Sequence, residues 1–164
     1  MNIGRRTFLG LGGLGIAAGG AFFLTRGEAA AVPVGNAPVR LSDAEWRRRL
    51  SPEAYRVLRR AGTERSGSSP LDREHRRGTF HCAGCNQPLF ASADKFDSGT
   101  GWPSFTRPLP GAVGTRQDDT LFTARVEVHC RRCAGHLGHV FDDGPRPTGK
   151  RYCMNGVAMR FVAA

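Results

Sequence analysis

The sequence predicts a mainly β domain, antiparallel in its strand pairing and preceded by a short helical arm. Two observations carry this. Apolar residues at helical spacing are confined to the stretch between Leu41 and Gly62. Beyond Gly78, short alternating runs sit between glycines and prolines. The clearest is LFTARVEVHC, where Phe122, Ala124, Val126 and Val128 alternate with Thr123, Arg125, Glu127 and His129, predicting one buried and one wet face. Punctuation of this density suits antiparallel sheet better than crossover connections.

The elements follow in order. Arg5 and Arg6 stand before a weakly apolar, glycine-laden run from Leu9 to Leu24, too short to span a bilayer comfortably, and Ala29 and Ala31 lie at A-x-A spacing. Residues 1–31 therefore read as an export signal of the twin-arginine kind, cleaved after Ala31, with an uncleaved anchor as the alternative. Either way the domain is expected outside the cytoplasm, in the periplasm. Residues 32–40, with Pro33, Gly35 and Pro38, read as a linker. Ser42 with Glu45 forms a capping box opening the helix DAEWRRRL; Ser51 and Pro52 open a second, and Gly62 is its expected stop. Thr63 to Gly78 reads as a connection to the β body.

The 164-residue chain, long enough for one domain with a real core, carries a formal net charge of +10. Residues 1–31 hold three arginines and one glutamate, so without them it is +8. The excess is scattered over short groups with no groove motif or stacking aromatics, which favours a solvated basic surface over a nucleic-acid site.

Cys82–Cys85 and Cys130–Cys133 are two Cys-x-x-Cys pairs. Each turn can aim two sulfurs at one point, and two such knuckles complete a tetrahedral S₄ shell for a structural zinc with no open position for substrate. Disulfides are the competing reading in an oxidising compartment, whereas a strand running into Cys130 speaks against a thioredoxin-like redox pair. Cys153 is left over. On a strand, RYCMN sends Arg151, Cys153 and Asn155 to one face, and the guanidinium is expected to lower the thiol pKa; the bland alternative is a small apolar filler. His136 and His139 lie in a glycine-flanked turn just past the second knuckle, and Trp102 sits in the loop SGTGWPSF. These could instead be satisfied core residues, or the histidines a second metal site.

In order and spacing, HCAGC, FDSGTGWPSF, HCRRCAGHLGHVFDDGP and RYCMNGVAMRF resemble the motifs of the methionine-R-sulfoxide reductases, the type B family of peptide methionine sulfoxide reductases, from about Leu41 to Phe161. The resemblance implies a domain over 41–164 made of two packed antiparallel sheets, tent-like and pinned by one structural zinc on Cys82, Cys85, Cys130 and Cys133. It implies Cys153 as the nucleophile that takes oxygen from the R epimer of methionine sulfoxide, peptide-bound or free, and becomes a sulfenic acid. His139 with His136 would be the proton-donating pair, Asn155 a hydrogen-bonding group, Trp102 the wall for the substrate methyl, and Arg151, paired with Asp143, the support of the thiolate. Many members carry a resolving cysteine where this chain has Thr100, so an external thiol, thioredoxin-like or small, is expected to regenerate Cys153 in a monomeric enzyme acting on oxidised proteins or peptides. Gly156 replaces a common serine and is expected to loosen the backbone. A thiol peroxidase or general thiol redox protein, or a zinc-ribbon-like binding module, are the competing functions.

Overall fold

The computed structural model describes residues 38–119 and 124–164. The export-signal reading of residues 1–31, its cleavage point and the linker up to residue 37 lie outside the described residues. Among the described residues no helix is long and apolar enough to cross a membrane.

The helical arm forms where its caps place it. Helix α1 spans Asp43–Arg49; the Ser42 hydroxyl accepts from Glu45 N–H at 3.3 Å, and the Glu45 carboxylate accepts from Ser42 N–H at 2.8 Å. Helix α2 spans Pro52–Arg60, capped by Ser51, and buries Ala54, Tyr55, Val57 and Leu58. Its end departs from expectation: the left-handed residue is Ala61 (φ 51°), not Gly62. Gly62 N–H closes the turn onto the Arg56 carbonyl at 3.0 Å, and a Cβ on Gly62 would lie 2.7 Å from Arg56 Nη1. Alanine, not glycine, takes the strained φ at this helix end.

Among the described residues nine short strands follow: β1 (Gly78–Cys82), β2 (Pro88–Ala91), β3 (Lys95–Phe96), β4 (Ser104–Phe105), β5 (Val113–Asp118), β6 (Arg125–Cys130), β7 (His136–Phe141), β8 (Arg151–Met154) and β9 (Met159–Ala163). They pair antiparallel throughout, in a three-stranded sheet ordered β2-β1-β9 and a six-stranded sheet ordered β3-β4-β8-β7-β6-β5. The mainly β, two-sheet expectation holds. Phe80 and Phe90 from the first sheet meet Phe105 of the second at centroid distances of 4.9 and 4.3 Å, all three fully buried, so aromatic packing joins the sheets. Helix α2 packs on β7.

Strand β6 corrects the simple alternation. Val128 is buried, but Val126 is 36% exposed and Glu127 only 3%. The face expected to be wet is covered by charged partners from neighbouring strands, and that ordering of charge builds the site. Within the stretch, residues 121–123 lie outside the described residues.

Candidate active site and metal centre

Strand β8 runs between β4 and β7, so sheet register assembles the site from separate parts of the chain. Cys153 stands opposite Ser104 on one side and opposite His139 on the other. A cavity of about 190 Å³ opens over this point, lined among others by Cys153, His139, Trp102, Asn155, Arg125 and Phe141.

Cys153 is surrounded by hydroxyls as well as by Arg151. Thr100 Oγ1 lies 3.9 Å from its sulfur; Ser98 Oγ is 2.8 Å from both Thr100 Oγ1 and Ser104 Oγ. Arg151 is held by a two-pronged ion pair to Asp143, at 2.9 and 2.8 Å, with its guanidinium 4.4 Å from the centre of the Phe141 ring. The expected lowering of the thiol pKa does not survive: burial pushes Cys153 up, and Thr100, Arg151 and Ser104 pull it back without reversing the shift. A guanidinium shared with Asp143 has less charge to spend on a desolvated sulfur.

The two histidines do not face the thiol as a pair. His139 lines the Cys153 cavity, and its Nε2 is 2.6 Å from Asp118 Oδ2. His136, 5.3 Å away between ring centres, opens instead on an adjoining cavity of about 290 Å³ with Arg116, Asp118, Arg125 and Glu127. Its Nδ1 lies 2.8 Å from Glu127 Oε1, and both side chains are 4% exposed. Burial holds His136 below the ordinary imidazole range, only partly opposed by Glu127. Burial pushes Glu127 up, but hydrogen bonds from Arg116 and His136 outweigh it and leave the carboxyl below its usual range. His136 is therefore neutral near neutrality and lies behind His139.

Asn155 follows the end of β8 and still lines the cavity. Its Nδ2 donates to the Leu137 carbonyl at 3.0 Å and its Oδ1 accepts from Glu64 N–H at 2.9 Å. Glu64 gathers the site: its carbonyl accepts from Trp102 Nε1 at 3.2 Å, and its buried carboxylate accepts from the N–H groups of Gly156 and Val157. Burial pushes Glu64 up despite those donors. The stretch after Gly62 is thus a strap and not a plain connection. Ser66 Oγ donates to the Thr100 carbonyl, and Gly67 N–H to the Gly101 carbonyl, both at 2.8 Å. Gly156 is not loosened either, since a Cβ there would meet Ser69 Oγ at 2.0 Å; the glycine admits the strap.

The two Cys-x-x-Cys turns are copies of one knuckle. In each, the first cysteine's carbonyl accepts from the residue after the second cysteine, Asn86 at 2.9 Å and Ala134 at 2.8 Å. Both of those residues have positive φ, 63° and 55°. The four buried sulfurs converge within 4.8 Å of one another and are placed to hold a metal, the one such group among the described residues. Sulfur separations of 3.5 and 3.7 Å are too long for disulfides and match the edge of about 3.8 Å in a tetrahedron with Zn–S of about 2.3 Å. Four buried thiolates at these separations repel one another strongly. A cation shared by four thiolates removes that conflict.

Sequence reasoning missed Glu64, Asp118, Glu127, Ser98 and Ser104. Alternating charge in the stretches Arg116-x-Asp118 and Arg125-x-Glu127 was the available signal for two of them.

The sequence model of the SelR domain matches residues 50–163, and the chain belongs to this family. It is similar to proteins named peptide methionine sulfoxide reductase MsrB. The protein from Agrobacterium fabrum is 52% identical over 124 residues, covering 75% of this chain and 92% of that protein. That from Thiobacillus denitrificans is 53% identical over 121 residues, 73% and 92% of the two chains. That from Leptospira interrogans is 46% identical over 127 residues, 77% and 97%.

Proposed function

We propose that this peptide-methionine (R)-S-oxide reductase works with Cys153 as its single redox-active thiol. The carrying observation is that Cys153 lines the cavity opposite His139 while the other four cysteines converge on one another elsewhere. A sulfoxide sulfur bears partial positive charge, so the thiolate attacks it as the oxygen takes a proton from His139. The sulfur–sulfur bond so formed and the substrate S–O bond then break as the hydroxyl passes to the Cys153 sulfur, so methionine leaves and Cys153 becomes a sulfenic acid; the substrate gains two electrons and the Cys153 sulfur loses two. Because burial keeps the resting thiol protonated, its own proton reaches the oxygen through the imidazole. Thr100 brings no thiol, so an external thiol attacks the sulfenic sulfur, water departs, and a second thiol resolves the mixed disulfide.

Trp102 supplies an aromatic wall for the substrate methyl and so selects one epimer; Asn155 hydrogen-bonds within the site, and Arg151, held by Asp143, supports the developing thiolate. Cys82, Cys85, Cys130 and Cys133 hold a structural zinc. The working unit is a monomer over residues 41–164, exported through the twin-arginine signal to the periplasm, where it repairs oxidised proteins or peptides. Protein reacted with the R epimer and no reductant is expected to release one methionine per chain and to carry a sulfenic acid on Cys153 by mass spectrometry. An internal Cys153 disulfide, or equal turnover of the S epimer, overturns the reading. Cell fractionation checks export, which replacing Arg5 and Arg6 by lysine is expected to block.

A further inference from the structure

Strands β5 and β6 form a hairpin whose paired residues include Arg116 opposite Glu127 and Asp118 opposite Arg125. A strand period of two puts Arg116 and Asp118 on one face of β5, and Arg125 and Glu127 on the matching face of β6. The result is a two-rung ladder in which the order of charge reverses from one rung to the next, and each carboxylate holds one imidazole of β7. Glu127, gripped by Arg116, takes His136; Asp118, bound by Arg125 Nη2 at 2.8 Å, takes His139.

We propose that Asp118, clamped by Arg125, is the positioning residue that commits Nε2 of His139 to a fixed hydrogen bond and leaves Nδ1 to deliver the proton to the sulfoxide oxygen. This rests on the reductase reading of the site and deepens it. An ionised carboxylate only accepts, so the nitrogen facing Asp118 carries a proton in both charge states of the ring. The nitrogen that gains and loses a proton is then Nδ1. With the His139 and Asp118 side chains 11% and 13% exposed, water competes little for the 2.6 Å contact.

The other charged or titratable groups around His139 are already engaged. On β6, Glu127 is shared between Arg116 and His136, and Arg125 grips Asp118. On its own strand, His136 is turned to Glu127. On β8, Arg151 is tied to Asp143, and Cys153 is the reaction partner. Asp118 is the carboxylate in contact with the ring.

The test compares wild type, Asp118→Asn and Asp118→Glu in single-turnover methionine release from the R epimer across pH, with zinc content and KM measured alongside. Asp118→Asn is expected to keep its zinc and its KM within about twofold while losing roughly 10²-fold in rate, the lower range of a general acid's contribution. Its pH profile should differ from that of wild type, and Asp118→Glu should recover most of the rate. An unchanged rate and profile in Asp118→Asn overturns the proposal. Nitrogen-15 NMR of the wild-type imidazoles needs no variant and no substrate. Nε2 of His139 should stay protonated on both sides of the ring's titration, and its deprotonation overturns the proposal as well. Absence of R-epimer turnover in the wild type would sink the reductase reading instead, with the NMR result standing apart.

Discussion

At Cys153 two opposing effects meet, and burial wins. Arg151, Thr100 and Ser104 each favour the thiolate, yet the sulfur lies far enough inside the sheet that its pKa ends above the ordinary thiol value. The free protein therefore holds a guarded thiol and not an exposed thiolate. Alkylation of Cys153 by iodoacetamide is expected to rise with pH through a midpoint above about 8.5. A midpoint clearly below that figure would show that Arg151 prevails. Placement on β8 was readable from period-two spacing, and the Arg151–Asp143 pair was expected and is present; the balance of burial against charge was not, because local spacing does not show how deeply the sheet buries the sulfur.

Among the elements, α2 and the strap after it matter most. Helix α2 ends with alanine in the left-handed region, where a Cβ costs about 1–2 kcal/mol. Ala61→Gly is expected to raise stability by about 0.5–1 kcal/mol after the added freedom of the unfolded chain is subtracted, seen as a Tm higher by a few degrees with cysteine chemistry unchanged. An unchanged or lower Tm would mean that the Ala61 side chain packs more favourably than its conformation costs. The caps at Ser42 and Ser51 were legible because they depend on residues three apart. The strap was not: its Ser- and Gly-rich composition says "connection", while its role comes from Glu64 meeting residues far away in sequence.

At the scale of the whole molecule, the knuckles sit at the ends of β1 and β6, one in each sheet. A metal bound by the four cysteines therefore fastens the two sheets at one edge, complementing the Phe80, Phe90 and Phe105 contact between them. Metal stripped from the four cysteines by a strong chelator is expected to abolish cooperative thermal unfolding together with reductase activity, and Cys130→Ser to do the same. Retention of a sharp transition in metal-free protein would show that the aromatic core suffices. Loss of metal should also free four thiols to a colorimetric reagent beyond the one at Cys153.

The β architecture, the capped helical arm, the paired cysteine knuckles and Cys153 as the odd thiol were all legible in the sequence. Each of these depends on short spacings that local geometry obeys: two for strands, three for caps, two intervening residues for knuckles. Only the tertiary structure decided which groups share a charge or a hydrogen bond. It set His136 behind His139, and brought Asp118, Glu127 and Glu64 to the site. Those choices follow from sheet register and burial, long-range properties that no local pattern of residues specifies.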